Sequence, residues 1–185
     1  MSRPPSDNSR QPVSTVRLGV GEAHPADLET WLEDSEWKGR LTLKTPDKSS
    51  SARVVLLFSH STQDNVITHL SSVYTQLVSF MDACFAARLG FLLRWLGTRQ
   101  DKERYDVQLP LKQIVPRADG DKWEGEMQFH YAGVQSSKLY LGRFNSREAV
   151  TDYATQVYEQ LIAYMEDRYK DRLMRLLGFL ADGNI

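Results

Sequence analysis

A row of basic side chains along one short segment is the feature of this sequence best suited to binding chemistry. Apolar and polar residues alternate from residue 37 to residue 44, and the polar positions are Lys38, Arg40, Thr42 and Lys44. Alternation with a period of two predicts a half-buried strand whose polar side chains share the outer face of a sheet. Arg53 lies close by in the next strand candidate. Such a face suits contacts with phosphate groups, and a plain solvated strand face is the alternative explanation.

The residues that commonly serve in catalysis and metal binding do not have the spacing that either function requires. None of the four histidines has metal-ligand spacing; they are His24, His60, His69 and His130. Cys84 is the single cysteine, so it forms neither an intramolecular disulfide nor a cysteine-rich zinc site. No nucleophile motif, complete phosphate-binding loop or paired-acid signature occurs. The sequence therefore predicts a protein that is not an enzyme and that needs no metal or other cofactor.

The overall charge and hydropathy restrict the kinds of partner that this protein is expected to bind. The 185 residues include 23 Lys and Arg against 24 Asp and Glu. The sequence pI of 6.4 argues against a strongly basic nucleic-acid binder, because such domains usually exceed a pI of about 9. The longest apolar stretch, 85–96, is interrupted by Arg88 and Arg94, so no membrane span is predicted. A lone cysteine is typical of a reducing compartment and predicts an intracellular location: cytoplasm, nucleus or organelle matrix.

The second half of the chain repeats the first. Glu36-Trp-Lys-Gly39 matches Lys122-Trp-Glu-Gly125 at an offset of 86, and Phe58 matches Phe144 at the same offset. At an offset of 84, ten of the 25 positions from 73 to 97 are identical. The identities include polar and bulky types beyond the leucines that any two amphipathic helices share, among them Tyr74, Gln76, Met81 and Arg88. The pattern indicates an internal duplication.

Each copy consists of predicted strands followed by one long helix. The predicted fold class is therefore α+β, with two tandem copies of a three-stranded antiparallel sheet and a helix related by a pseudo-two-fold axis. The first copy spans 16–97, with strands at 16–20, 37–44 and 52–58. The second spans 107–185, with strands at 107–115, 123–131 and 138–144.

The remaining segments are assigned by composition. Residues 1–15 are rich in Ser, Pro and Arg and predict a disordered tail, and the charged residues 98–106 predict a linker. The acidic stretch 27–36 is predicted to be a helix-like excursion of the first copy. Ser59 or Ser61 is expected to cap the first helix and Asn145 or Ser146 the second. The apolar distal turns of both helices must be covered by the other copy's helix or by a second chain.

A family resemblance rests on three motifs of the second copy. They are Lys122-Trp-Glu-Gly-Glu-Met127, Leu139-Tyr-Leu-Gly-Arg-Phe144, and Glu148-Ala149 followed by Tyr153-Ala154. This pattern resembles the AP2/ERF-type DNA-binding module over about 40 residues. The resemblance implies a three-stranded antiparallel sheet packed on one helix, with DNA read by side chains on the sheet. Carried over, it places Glu126, Gln128, Lys138 and Tyr140 at contact positions, and Arg40 and Thr42 in the first copy. Whirly and PUR-repeat proteins share the duplicated architecture and usually bind single strands through sheet surfaces.

These observations predict a non-catalytic nucleic-acid-binding protein that uses its sheet surfaces on DNA or RNA, for example within a ribonucleoprotein assembly. The expected contact residues are Lys38, Arg40, Thr42, Lys44, Arg53, Lys138, Tyr140, Arg143 and Arg147. The alternative is a structural or protein-interaction subunit of the same fold that has lost its nucleic-acid contacts. Its long helices would then dock to a partner protein or to a second copy, and the near-neutral charge favours this alternative.

Overall fold

The computed structural model describes residues 14–19, 24–45, 52–98, 110–131 and 133–182. The fold is α+β, as the sequence predicts, with two antiparallel sheets and two long helices. The predicted tail up to residue 13 and the predicted linker from residue 99 to 106 lie outside the described residues. Ser14 and Thr15, which the sequence assigns to the tail, are in the first strand, because they pair with Thr30 and Glu29.

The first sheet has four strands rather than the predicted three. Its order follows the chain: β1 (Ser14–Leu18), β2 (Ala26–Glu33), β3 (Glu36–Lys44) and β4 (Arg53–His60). The prediction of a helix-like excursion at 27–36 is wrong, because β2 occupies most of this stretch. Buried Ala26, Leu28 and Thr30 alternate with more exposed neighbours, which is the two-residue period of a strand. A two-residue turn with positive φ at Asp34 and Ser35 joins β2 to β3.

The second sheet also has four strands, one of them very short. It contains β5 (Leu111–Asp119), β6 (Lys122–Tyr131), β7 (Val134–Gln135) and β8 (Leu139–Phe144). β6 is the central strand and pairs with each of the other three. The two-residue β7 was not predicted, because a strand that short carries no periodic signal.

Two helices of 36 and 35 residues cover the inner faces of the sheets: α1 (Gln63–Thr98) and α2 (Arg147–Ala181). The expected capping of the second helix is confirmed at Ser146, whose Oγ accepts a hydrogen bond from the Ala149 backbone N–H. For the first helix, the Thr62 hydroxyl accepts from the Asn65 backbone N–H instead of Ser59 or Ser61. By length and composition alone, residues Gln63–Arg94 of α1 could span a membrane. The same helix buries Val66, Leu70 and Leu77 in the core.

Glycines allow each helix to lie close to its sheet. A methyl group added at Gly39 would overlap the side chain of Val66 and lie 2.8 Å from Leu70 Cδ1. A methyl group added at Gly125 would lie 2.9 Å from Val150 Cγ1. The close approach of helix and strand therefore depends on a missing side chain at these two positions.

The two halves share one core. Phe80 of α1 stacks on Phe129 of β6, with ring centroids 5.5 Å apart. In the other direction, α2 lies along the edge strand β4, where Gln160 Oε1 accepts from the Val55 backbone N–H at 2.8 Å. The Leu57 backbone N–H donates to the Tyr153 hydroxyl at 2.7 Å. Each half thus completes the packing of the other.

Candidate nucleic-acid interface

The predicted basic row lies on the outer face of the first sheet, on the side away from α1. The side chains of Lys38, Arg40 and Lys44 are 33%, 49% and 58% exposed. They point outward because the intervening Gly39, Leu41 and Leu43 face the core. Thr42 belongs to the same row, but it is only 8% exposed. Its side chain therefore offers little surface to a ligand.

Acidic side chains of β2 pair with all three exposed basic residues of the row. Lys38 Nζ lies 3.0 Å from Glu33 Oε2, and Lys44 Nζ lies 2.5 Å from Asp27 Oδ2. Arg40 donates twice to Glu29 Oε2, at 2.8 and 2.6 Å. These partners were not predictable without β2, which pairs with β3 and brings its carboxylates beside the basic row. The alternation of Asp27 and Glu29 with Ala26, Leu28 and Thr30 is the signal that indicates this strand.

The charge on this face is uneven from one end to the other. Arg17 of β1 is opposite Asp27, and Arg53 of β4 is opposite Lys44. Both arginines are exposed, and neither forms an ion pair with another described residue. Among the described residues we define the basic end of the first sheet as Arg17, Asp27, Lys44 and Arg53. Three positive groups against one carboxylate give this end a net charge of +2, although the whole chain carries −1.

The far end of the same face is acidic. One positive group, Lys38, lies there beside two carboxylates, those of Glu33 and Glu36, which are opposite each other in neighbouring strands. Trp31 is the register partner of Lys38, and its Nε1–H donates to Glu33 Oε2 at 3.3 Å. Phosphate groups are therefore favoured at the basic end and opposed at the far end.

The outer face of the second sheet mixes both charges. Two carboxylates of β6 lie on this face, and arginines of the neighbouring strands pair with them: Arg117 Nη2 lies 3.3 Å from Glu126 Oε2, and Arg143 Nε lies 3.4 Å from Glu124 Oε1. Arg143 Nη2 also lies 2.7 Å from Asp119 Oδ2, and that carboxylate is the main reason that the pKa of Arg143 is raised. Lys138 and Arg147 are exposed and form no ion pair with the other described residues.

A cleft of about 940 Å³ separates this second face from the first half of the chain. One wall is the end of β4 and the first turns of α1, with Phe58, His60 and His69. The other wall is formed by β6 and β8, with Lys122, Tyr140 and Arg143. Of the nine predicted contact residues, only Tyr140 and Arg143 line this cleft. The other seven lie outside it, on or beside the two sheet faces.

Four rings cluster where the two walls of the cleft meet. Phe58 stacks on His69 with centroids 3.9 Å apart, and His60 lies 6.4 Å from Phe58 in a nearly parallel orientation. Tyr140 meets both Phe58 and His69 edge-on, at 6.1 and 5.9 Å. His69 Nε2 donates to the Tyr140 carbonyl oxygen at 3.1 Å, and burial lowers the pKa of His69 despite this hydrogen bond. Burial also raises the pKa of the Tyr140 hydroxyl, together with the nearby Glu124 carboxylate.

The sequence did not reveal this cluster, because its members come from both halves. Phe58, His60 and His69 belong to the first half and Tyr140 to the second, about 70–80 residues away along the chain. The two histidines have no motif spacing in the sequence, and only the tertiary fold brings them together with Phe58 and Tyr140.

The described residues offer little for redox or metal chemistry. No group of three His, Cys, Asp or Glu side chains among them is placed to hold a metal ion. Cys84 is fully buried in α1, and burial raises the pKa of its thiol to about 12. A thiol with that pKa supplies almost no thiolate near neutral pH and behaves as a small apolar side chain.

Comparisons with protein-family models, with curated proteins and with solved structures give no significant match to this chain. The likeness to the AP2/ERF-type module therefore rests on the motifs quoted above.

Proposed function

We propose that this protein is a non-catalytic nucleic-acid-binding protein that contacts phosphate groups through the basic end of the first sheet. The observation that carries the proposal lies at this basic end: among the described residues, Arg17 is opposite Asp27, Arg53 is opposite Lys44, and Lys44 pairs with Asp27. Arg17 and Arg53 have no ion-pair partner among the described residues and are ready to receive phosphate oxygens. Arginine is well suited to this role because its planar guanidinium binds phosphate at two points.

The ion pair at the basic end does not prevent phosphate binding. Exposed ion pairs such as Lys44–Asp27 contribute only about 0–1 kcal/mol, so a phosphate group can replace the carboxylate at small cost. Trp31 lies four residues from Asp27 along β2, at the acidic far end of the face, so its ring suits a base rather than a phosphate. Base stacking on such rings contributes about 1–3 kcal/mol per base. Stacking combined with phosphate contacts favours single strands, whose bases are accessible.

We further propose that the two halves are copies of one ancestral sheet-and-helix unit of the AP2/ERF type. Several contacts recur at the offset found in the sequence. Tyr74 donates to the carbonyl oxygen of His24 at 2.9 Å, and its counterpart Tyr158 donates to that of Pro110 at 2.6 Å. Gly39 faces Val66 as Gly125 faces Val150; the glycines are 86 residues apart and the valines 84, which are the two offsets found in the sequence. These repeated contacts support a pseudo-two-fold relation between the copies.

The test is fluorescence anisotropy of labelled single- and double-stranded oligonucleotides at about 50 and 200 mM salt. The triple variant Arg17→Gln, Lys44→Gln, Arg53→Gln should weaken binding across sequences and flatten the salt slope by about 0.7 per lost phosphate contact on single strands. The matched control is Arg94→Gln, Lys170→Gln, Arg175→Gln, which removes the same charge from the helices. Equal losses in both triple variants, or no binding at low salt, would contradict the proposal.

A second candidate function is docking to protein through the distal helix turns. Large apolar side chains are 42–68% exposed there: Phe91, Leu93, Met174, Leu177, Phe179 and Leu180. Exposed apolar surface of this kind marks interaction sites on many soluble proteins. Sedimentation velocity over a concentration series tests self-association, and Leu177→Glu with Phe179→Glu should abolish it. Monomers at all concentrations would leave only a different protein as the docking partner.

A further inference from the structure

We propose that the cleft between the two halves binds one nucleoside monophosphate unit, either as a free nucleotide or as the 5′ end of a strand. This site is separate from the basic end of the first sheet. The two surfaces can therefore be tested independently, and failure of one leaves the other standing.

The size and lining of the cleft fit a ligand of this class. Its volume of about 940 Å³ is at the upper end of the roughly 300–1,000 Å³ typical of small-molecule sites. Aromatic rings form part of its lining, and hydroxyl and amide groups of Ser59, Ser61 and Asn65 complete it. Concave sites with rings and a few convergent polar groups are characteristic of small-ligand binding.

The rings supply a place for the base. His60 is exposed and lies almost parallel to Phe58, with an angle of 21° between the rings. Phe58 is fixed from behind by its stacking on His69, so the surface offered to a ligand is held in place before binding. A flat base can stack on this surface, since every base has an aromatic face.

Two positive groups supply a place for the phosphate. Lys122 Nζ donates to Asn145 Oδ1 at 2.6 Å, which leaves two of its three donors for a ligand. Arg143 is 63% exposed, and its pairing with Asp119 and Glu124 is weak enough for a phosphate to displace. Both residues line the same wall of the cleft.

The acidic residues of the cleft limit the charge of the ligand. Glu36 and Glu124 balance Lys122 and Arg143, so the lining has no net positive charge. A triphosphate would meet these two carboxylates without further compensation, whereas a monophosphate needs only the two positive groups. The carboxylates can instead accept hydrogen bonds from a ribose hydroxyl or a base amino group.

Isothermal titration calorimetry on the full chain tests the proposal with AMP, adenosine, ATP and inorganic phosphate. AMP should bind at least about tenfold more tightly than adenosine, because adenosine lacks the charge-assisted contacts, and no more weakly than ATP. Arg143→Gln should reduce AMP affinity by about tenfold, whereas Lys138→Gln on the same sheet but outside the cleft should leave it unchanged.

A second pair of variants tests the stacking surface. His60→Ala should lower AMP affinity by about tenfold, and His130→Ala, which lies outside the cleft on β6, should not. His60 is exposed, so its removal should leave the fold intact, as circular dichroism would verify. Undetectable AMP binding at millimolar concentration, equal affinity for AMP and adenosine, or equal effects of the two histidine variants would overturn the proposal.

Competition identifies the source of the nucleotide. Displacement of AMP by a 5′-phosphorylated octanucleotide, but not by the same octanucleotide with a 5′-hydroxyl, would assign the site to a strand end. Displacement by neither would assign it to the free nucleotide, and both results support the monophosphate site. Displacement by both to the same extent would contradict recognition of a terminal phosphate and overturn the proposal.

Discussion

Arg88 of α1 and Glu166 of α2 form a two-point ion pair between the helices, with Nη1 to Oε1 at 2.6 Å and Nη2 to Oε2 at 3.3 Å. The guanidinium also lies over the ring of Tyr169, 3.8 Å from its centroid. The same arrangement occurs with the helices exchanged: Arg172 of α2 donates to Asp82 of α1 at 2.7 Å and lies over Phe85. Charge pairing and ring contacts therefore join the two halves at one place.

Removal of the Arg88 side chain should weaken this junction. Arg88→Met leaves the Glu166 carboxylate, which is 30% exposed, without its partner, so we expect a loss of about 2–4 kcal/mol in the free energy of unfolding. Arg175→Met is the matched control, because the 71% exposed Arg175 pairs with Asp171 within one helix and should cost less than about 0.5 kcal/mol. Urea unfolding measures both. Equal losses would show that the junction contributes no more than a surface ion pair.

Alanine substitutions at three glycines should change the stability of the protein by different amounts. Gly39→Ala should be strongly destabilising, by about 2–3 kcal/mol, because the new Cβ overlaps Val66. Gly125→Ala should cost less, since its nearest neighbour lies 2.9 Å away. Gly90→Ala in α1 meets nothing within 4 Å and should stabilise the protein by about 0.5–1 kcal/mol. Thermal unfolding of the three variants would reveal this order, and a neutral Gly39→Ala would show that the helix and sheet are less closely packed.

Stability should decrease as the pH falls below 6.5. Burial lowers the pKa of His24 from 6.5, more than the nearby Asp82 carboxylate raises it, and Arg168 and Arg172 lower it further. Burial also lowers the pKa of His69, with the backbone of Tyr140 opposing and His60 adding to the shift. Between the lowered pKa and 6.5, the unfolded chain binds more protons than the folded one, so the stability present above pH 6.5 is lost progressively below it.

Urea unfolding at about pH 7.5 and 5.5 measures this dependence. His24→Asn and His69→Gln should each reduce the difference in stability between the two pH values. A pH dependence that neither substitution changes would assign it to other groups.

The Cys84 thiol should be unreactive in the folded protein. Its side chain is fully buried and its pKa is raised to about 12, so the thiolate that reacts with thiol reagents is nearly absent at pH 8. We expect labelling by Ellman's reagent only when urea opens α1, at a rate that follows unfolding. Rapid labelling of the native protein would show that α1 opens locally around residue 84.

Removal of an acidic residue at the basic end should strengthen strand binding, if the proposed function is correct. Asp27→Asn frees Lys44 from its ion pair and raises the net charge of this face by one. Oligonucleotide affinity at low salt should therefore rise by about threefold to tenfold. Glu33→Gln, at the acidic far end of the same face, should have a smaller effect. Anisotropy titrations compare them, and an equal gain would favour a diffuse field over a local contact.

Much of the fold was predictable from local patterns. The two-residue period from Trp37 to Lys44 predicts β3, and Ser146 marks the start of α2 because a serine side chain satisfies a free backbone N–H at a helix N-terminus. β2 was not predicted, because its three acidic residues suggested a helix-like segment instead of a strand. Ala26, Leu28 and Thr30 alternate with acidic residues in the sequence, but Trp31 breaks the alternation on the opposite face, so the signal of a strand is weak.

The candidate sites were less predictable, because they depend on which segments become neighbours. The basic row of β3 was recognised, but the partners of Arg40 and Lys44 could not be assigned without the pairing of β2 with β3. At the cleft, Phe58 of the first half contacts Tyr140 of the second half, and no local pattern in either segment predicts that contact. Local periodicity determines which face a side chain occupies, whereas tertiary packing determines what lies opposite.

The position of α2 along β4 has a consequence for biosynthesis. The backbone N–H groups of Val55 and Leu57 receive their partners from Gln160 and Tyr153, which are translated about 100 residues later. While the chain is being made, the first sheet therefore leaves the ribosome with an open edge, and open edges recruit strands from other molecules. We expect nascent chains arrested after α1 to require a chaperone to stay soluble, and completion of α2 to release them from it.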